Sequence, residues 1–264
     1  MLQADSRRDE RDETDRRAER MAHAAEAAAR GDYATAQGIW MVYAQAGYAR
    51  AQAEMGQCFL HGWGVERDPD LACFWLTLAA NAGDPVSQSL LGDFYFNSEA
   101  GRPQPAIAEK WYVRAAKQGD PHAQDMLSRI LMEGRHRKPD YKQAHEWALK
   151  AAEQGVAAAM TRLGLLYNQA LGVERDPKSA AEWWRKAAIN GDADGQAMLG
   201  AAYHLGAGIE RDRVAALAWL TRARRARSKL ADPYYPVVRQ SCSPDERREA
   251  ERLASLPLGV EARS

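Results

Sequence analysis

Past residue 48 the chain reads Glu-Arg-Asp three times, at residues 66–68, 174–176 and 210–212. Two carboxylates beside a guanidinium are groups that proton transfer uses, and one such triplet taken alone looks catalytic. Its recurrence in register, each time directly after a loop and before a helical stretch, argues instead for cap and loop chemistry. The remaining chemistry-bearing residues do not gather. His145-Glu146 is not followed by a second histidine three residues on, so the zinc-protease helix is absent. There is no P-loop, no dinucleotide glycine fingerprint and no Cys-x-x-Cys pair. The six histidines (23, 61, 122, 136, 145 and 204) are scattered along the chain. The sequence therefore implies no cofactor, no metal and no enzymatic activity.

Arg222, Arg224, Arg225, Arg227 and Lys229 form a basic cluster that a phosphate or RNA would suit. The formal net charge is zero, with 36 Lys and Arg against 36 Asp and Glu, and no aromatic platform accompanies the cluster. Nucleic acid is disfavoured as a partner on both counts. Cations at this place also complement the dipole of a helix C-terminus.

A period of 36 residues positions everything else. Trp75, Trp111, Trp147, Trp183 and Trp219 lie 36 apart, as do Gly47, Gly83, Gly119, Gly155 and Gly191. An unbroken period of this length is the signature of a stacked repeat array. Residues 1–15 mix acidic and basic side chains almost one for one, so a disordered charged tail is expected. Residues 16–47 read as an N-terminal capping helix and a partial repeat, with Ile39 at the Trp position and Trp40 one place along. Five full repeats follow over 48–227, at 48–83, 84–119, 120–155, 156–191 and 192–227. Residues 228–264 read as a loop and a C-terminal capping helix, opened by the capping box Ser243-Pro244-Asp245-Glu246. Three cysteines are too few for a disulfide framework and read as reduced, buried thiols. No apolar run approaches the roughly 20 residues that span a bilayer, and the N-terminus lacks a secretory signal. No membrane association and a cytoplasmic location are the expectations.

Each repeat predicts two helices. The first carries Leu91-Gly92…Tyr95, Leu163-Gly164…Tyr167 or Leu199-Gly200…Tyr203, with Met55-Gly56…Phe59 in the first repeat. Leu and the aromatic are four apart and share a face. The glycine costs roughly 1 kcal/mol of helix propensity relative to alanine and suits a close helix approach. The second helix opens on a cap, as at Asp68-Pro69 and Asp176-Pro177, and closes on the periodic glycine. The Trp series, needed once in every repeat, is expected in the packing between helices.

This pattern of Leu-Gly-x-x-Tyr, Gly-x-Gly-Val-x-x-Asp, Ala-x-x-Trp-x-x-x-Ala-Ala and Gly resembles the Sel-one-like repeat (SLR) family, relatives of tetratricopeptide repeats. The likeness covers about residues 32–227. It implies an all-α fold: an α/α right-handed superhelix, or solenoid, of 36-residue helix-turn-helix repeats with capping helices. It also implies use as a bacterial-type protein-binding adaptor or scaffold. Two repeats depart from the pattern. The second has Asn97-Ser98-Glu99-Ala100-Gly101-Arg102-Pro103 in place of the glycine loop, and the third has Ser128 for Gly and Leu131 for the aromatic.

In the related tetratricopeptide repeats the first helices line a concave groove. Carried over, that places partner-facing positions around the Leu-Gly-x-x-Tyr core, in columns where the copies disagree. The candidate partner-binding residues are Gln57, His61, Ser89, Asp93, Phe96, Asn97, Asp125, Arg129, Met132, Glu133, Asn168, Gln169 and His204. Trp63 is a candidate loop anchor, because the equivalent residues Glu99, Arg135, Leu171 and Ala207 show that the fold needs no aromatic there. Phe96, Met132 and Trp63 would anchor a protein or peptide segment, and the charged residues would select it. A narrower alternative is a neutralising, immunity-type partner of a toxin or effector, or a regulator of an enzyme. Self-association through the partial N-terminal repeat stays open.

Overall fold

The computed structural model describes residues 2–97 and 101–258, with side chains from Thr14 onward. Within the departing loop of the second repeat, Ser98 to Ala100 lie outside the described residues, as do 259–264 of the C-terminal segment. Among the described residues there are helices and no strands. They fall into two compact units, Met1–Asp120 and Pro121–Ser264. The first holds α1 (Leu2–Ala29), α2 (Tyr33–Gln45), α3 (Ala49–His61), α4 (Pro69–Asn81), α5 (Pro85–Phe96) and α6 (Pro105–Lys117). The second holds α7 (Pro121–Glu133), α8 (Tyr141–Glu153), α9 (Ala157–Gln169), α10 (Pro177–Ile189), α11 (Ala193–Leu205) and α12 (Arg213–Arg225). It closes with a short 3-10 turn (Lys229–Ala231), α13 (Tyr235–Ser241) and α14 (Pro244–Ala254). The expected all-α solenoid of helix-pair repeats is what is found. No helix among the described residues is long and apolar enough to cross a membrane.

Helix boundaries follow from cap chemistry. Asp32, Asp68, Asp84, Asp140, Asp176, Asp192 and Asp212 are N-caps whose carboxylates accept backbone N–H groups of the first turn. Each is worth about 1 kcal/mol. The periodic glycines take the left-handed conformation, with φ of 89° at Gly47, 98° at Gly83, 94° at Gly119, 89° at Gly155 and 84° at Gly191. Arg227 holds that place after the fifth repeat, at φ 64°, and there the helix-pair pattern ends.

Packing inside a repeat is knob into notch. The residue after the periodic Trp points at the first helix: Leu76, Tyr112, Ala148, Trp184 and Leu220 are all buried. The facing residue is the helical glycine. A Cβ on Gly56 would lie 2.7 Å from Leu76, one on Gly200 would lie 2.8 Å from Leu220, and those on Gly92 and Gly164 would collide with the Tyr112 and Trp184 rings. The third repeat shows why its departure is tolerated. Its knob shrinks to Ala148, and Ser128 occupies the notch, donating its hydroxyl to the Ala144 carbonyl at 2.8 Å. Leu131, buried at 1% exposure, fills the aromatic position.

The Trp series itself is less buried than expected. Trp75, Trp111, Trp147 and Trp183 are half-buried, and Trp219 alone reaches the core at 6% exposure. In the last four of the series a cation three residues on covers the indole. Arg114 lies 4.6 Å from the Trp111 ring centroid, Lys150 4.2 Å from Trp147, Lys186 4.1 Å from Trp183 and Arg222 5.2 Å from Trp219. A cation over an indole face at an exposed site is worth about 0.5–1 kcal/mol. The conserved spacing thus marks a lid over the helix pair.

Neighbouring repeats are joined by a glutamine column absent from the sequence expectations. Gln52, Gln88 and Gln196 donate to the carbonyls of Ala44, Ala80 and Ala188 at 3.1, 3.0 and 3.3 Å. These three buried amides tie one repeat to the second helix of the one before it. Within single repeats the exposed Gln118 donates to Gln88 at 2.9 Å, and the exposed Gln154 to Gln124 at 2.8 Å.

At the N-terminus the backbone of α1 is helical from Leu2. The tract has no proline or glycine, and it offers opposite charges at three- and four-residue spacing, which supports a helix without a core. Ala24 and Ala27 of α1 then pack on Ala36 and Trp40, which sits in the knob column. At the other end, the stretch expected to be irregular turns helical at Tyr235. The Ser243–Glu246 capping box forms as expected. Arg222 and Arg225, from the basic cluster, donate to the carbonyls of Leu253, Leu256 and Ala254 at 2.7, 2.8 and 3.2 Å, and so hold the C-terminal end of α14. All three cysteines are free; Cys58 and Cys242 are buried and Cys73 is half-buried.

Candidate protein-interaction site

The Glu-Arg-Asp triplets resolve first. Asp68, Asp176 and Asp212 cap the second helices. The arginines turn back onto the end of the first helix: Arg67 donates to the Leu60 carbonyl at 3.0 Å, Arg175 to Asn168 at 3.3 Å and Arg211 to Leu205 at 3.1 Å. Each triplet closes its loop at both ends. Among the described residues no group of three or more His, Cys, Asp or Glu side chains gathers as metal ligands.

The variable columns on the first helices divide by burial. The column two before Leu faces inward: Ala53, Ser89, Asp125 and Ala197 are at most 9% exposed. Its polar members join repeats. Ser89 donates to Asp120 at 2.9 Å, and Thr161 donates to Asp192 at 2.6 Å. Asp125 accepts a charge-assisted hydrogen bond from Arg162 at 2.8 Å, with 12% of each side chain exposed. Phe96, expected as an apolar anchor, is buried at 9% exposure. Asp93 accepts the Tyr112 hydroxyl at 2.6 Å.

In the first unit three expected residues meet around one concavity. A cleft of about 370 Å³ between α3 and α5 is lined by Leu60, His61, Arg67, Leu90, Asp93, Phe94 and Asn97. Its floor is apolar (Leu60, Leu90, Phe94) and its lip polar. His61 and Asn97 are exposed at the ends of their helices, where the αL residue Gly62 ends α3 and Asn97 itself caps α5. Arg67 was not among the expected residues. Its place in a recurring triplet marks it as structural, and nothing in the sequence shows that this copy also borders a cleft.

Trp63 is 39% exposed beside the cleft. Its ring stacks on Tyr33 at 5.9 Å and meets His61 at a tilt of 31° and 4.6 Å, and its carbonyl accepts from Gln37. Gln57 is half-buried on α3. In the second unit, Arg129 and Glu133 pair along α7 at 3.7 Å, and Glu133 also meets Arg135 at 2.6 Å. Met132, Asn168 and His204 are half-buried, and Gln169 is exposed.

The aromatic column faces the partner helix. The Tyr167 hydroxyl lies 3.1 Å from His145 Nε2, and the Tyr203 hydroxyl accepts from Arg185 at 3.3 Å. Burial holds the His145 imidazole below its ordinary range. The Tyr95 hydroxyl sits 3.6 Å from Cys73 Sγ. That hydrogen bond, with burial, pushes its pKa up to about 12.

The comparisons agree with this geometry. The model of the Sel1 repeat matches residues 49–84, 85–120, 121–156, 157–192 and 193–228, each one residue later than the repeats drawn from the sequence. Among solved structures, the Sel1 repeat protein from Oxalobacter formigenes is similar with a TM-score of 0.74 and 30% identity, over 89% of this chain and 98% of that one. A protective antigen of uropathogenic Escherichia coli strains, displaying an SLR fold, is similar with a TM-score of 0.56 and 26% identity, over 83% of this chain and 55% of that one. No curated protein matches the chain. Sel1 repeats generally serve as protein-interaction scaffolds, and proteins built from them are typically non-enzymatic. Five consecutive matched repeats and the shared helix-pair architecture place this chain in the Sel1 repeat family.

Proposed function

We propose that the protein is a non-enzymatic adaptor that holds a segment of a partner protein against the first helices of its repeats, with the α3–α5 cleft as the principal contact. The observation that carries this reading is the convergence of His61, Asp93 and Asn97 on one concavity with an apolar floor. Such a cleft accepts a single apolar side chain. Polar groups at its lip then fix the direction of the flanking backbone, the usual division of labour in a pocket. Trp63, half-sandwiched by Tyr33 and His61, extends the apolar surface at one edge. A rigid aromatic at such an edge contributes binding area at low entropic cost.

The test uses the lip, whose side chains carry little of the fold. Replacing His61 and Asn97 together by alanine is expected to weaken partner capture at least about tenfold, which is about 1.4 kcal/mol. Circular dichroism and the melting temperature should stay unchanged. Undiminished capture by the double variant would remove the cleft from the binding surface.

A further inference from the structure

Helices α2 and α4 carry an outward face unlike the corresponding face of the later second helices. On α4 the outward positions are Leu71, Phe74 and Leu78, which are 41, 54 and 37% exposed, and on α2 Val42 is 59% exposed. Phe74 also packs edge-on against the half-buried Trp75 at 5.2 Å. Val42 and Leu78 are 36 residues apart and share a column, as do Gly38 and Phe74. In α6, α8 and α10 these two columns read Lys110 and Arg114, Glu146 and Lys150, and Glu182 and Lys186. The cation that covers the periodic Trp in those repeats is therefore Leu78 here, and the face lies bare.

The last repeat shows that such a face can be covered by a helix. There the columns read Ala218 and Arg222, and the chain's own α14 lies against them: Ala218 is 1% exposed and Arg222 donates to the Leu253 and Leu256 carbonyls. The outer face of a second helix is thus a place where a helix docks.

We propose that the α2–α4 face binds the same face of a second copy of this chain in a two-fold symmetric dimer. Two observations select a second copy. The first is charge: α2 contains no acidic or basic residue, and α4 has only Asp70, in its first turn. A symmetric contact brings like residues close to one another across the axis, so it suits a patch without net charge. The second is shape. Gly38 sits exposed in the middle of α2, where helix propensity disfavours glycine, and a Cβ there would meet nothing within 4 Å. No packing within the chain calls for that glycine. It leaves a notch in the very column where Phe74 projects a knob from α4. The knob of one copy fills the notch of the other, and two-fold symmetry repeats the contact.

Two adjacent helices, each about 20 Å long, offer roughly 400 Å² per copy, or about 800 Å² in all. That is below the standard size of a stable complex, so the dimer is a weak one that forms at high chain concentration. The docking face is separate from the α3–α5 cleft, and the proposal does not rest on partner binding there.

Sedimentation velocity on the full chain, from about 5 µM to about 500 µM, tests it across the range where a small interface associates. The wild type is expected to shift from monomer to dimer. Phe74→Glu is expected to stay monomeric throughout, while Glu146→Ala, in the same column on α8, associates like the wild type. Gly38→Gln fills the notch and should raise the melting temperature while weakening association. It decides the matter even where Phe74→Glu folds poorly. A wild type that is monomeric over the whole range overturns the proposal. So does a dimer that survives both Phe74→Glu and Gly38→Gln.

Discussion

Replacing Trp184 by alanine is expected to lower the unfolding free energy by about 3–5 kcal/mol, the cost of deleting a buried aromatic from a close-packed core. Trp184 is 2% exposed, fills the Gly164 notch, and donates its indole N–H to the Thr161 carbonyl at 3.2 Å. Its neighbour Trp183 belongs to the unbroken 36-residue series, yet it is half-buried beneath Lys186. The same substitution there removes a lid, and a loss of about 1–2 kcal/mol is expected from partial burial plus a cation–π contact. Urea titration of the two variants separates the cases by the ordering of their midpoints. Equal losses at the two positions would show that the knob-into-notch contact is not what holds the helix pair. Gly164→Ala tests the same contact from its other side and should also destabilise, because its methyl collides with the Trp184 ring.

The second large effect is expected at Asp125. Its carboxylate meets Arg162 at 2.8 Å with 12% of each side chain exposed. Asp125→Ala leaves a largely buried guanidinium without that carboxylate, and a loss of about 3 kcal/mol is expected. Arg162→Ala should cost a similar amount. The double variant should cost clearly less than the sum, since the second removal relieves the charge left by the first. Denaturant midpoints of the three variants form the cycle. Additive losses would show that the two side chains act independently. The same geometry affects how binding data are read: a partner lost on Asp125→Ala reports a loosened joint between repeats, whereas His61 and Asn97 report the surface.

Architecture was legible because a period is a global signal. Five copies of Gly and Trp and four of the second-helix Asp cap vote together, and local departures such as Ser128 cannot shift the register. What periodicity could not separate was two adjacent columns. The Trp series repeats without change and was read as core, while the buried column beside it varies as Leu76, Tyr112, Ala148, Trp184 and Leu220. Variation there is size compensation between knob and notch, as Ala148 with Ser128 shows. It looks like drift until the two helices are seen together.

The candidate site was legible only in part, for a related reason. Disagreement between copies was taken as the mark of a partner surface. At Ser89 and Thr161, two periods apart, it marks one joint: a hydroxyl donating to the aspartate 31 positions on. At Asp125 the same column uses an ion pair with Arg162, 37 positions on, instead. His61 and Asn97 border the cleft because they lie at the ends of their helices, where side chains leave the packing. Arg67 was hidden by its likeness to Arg175 and Arg211, whose backbone contacts it shares.

The central claim is that a partner protein contacts the first helices while the second helices of the later repeats serve packing. A photoreactive phenylalanine analogue tests it directly when placed at Asn97, on the lip of the cleft, and separately at Glu182, exposed on α10. Crosslinking in cells followed by mass spectrometry should yield a discrete covalent partner from position 97 and none from position 182. The same partner recovered from 182, with nothing from 97, would contradict the account.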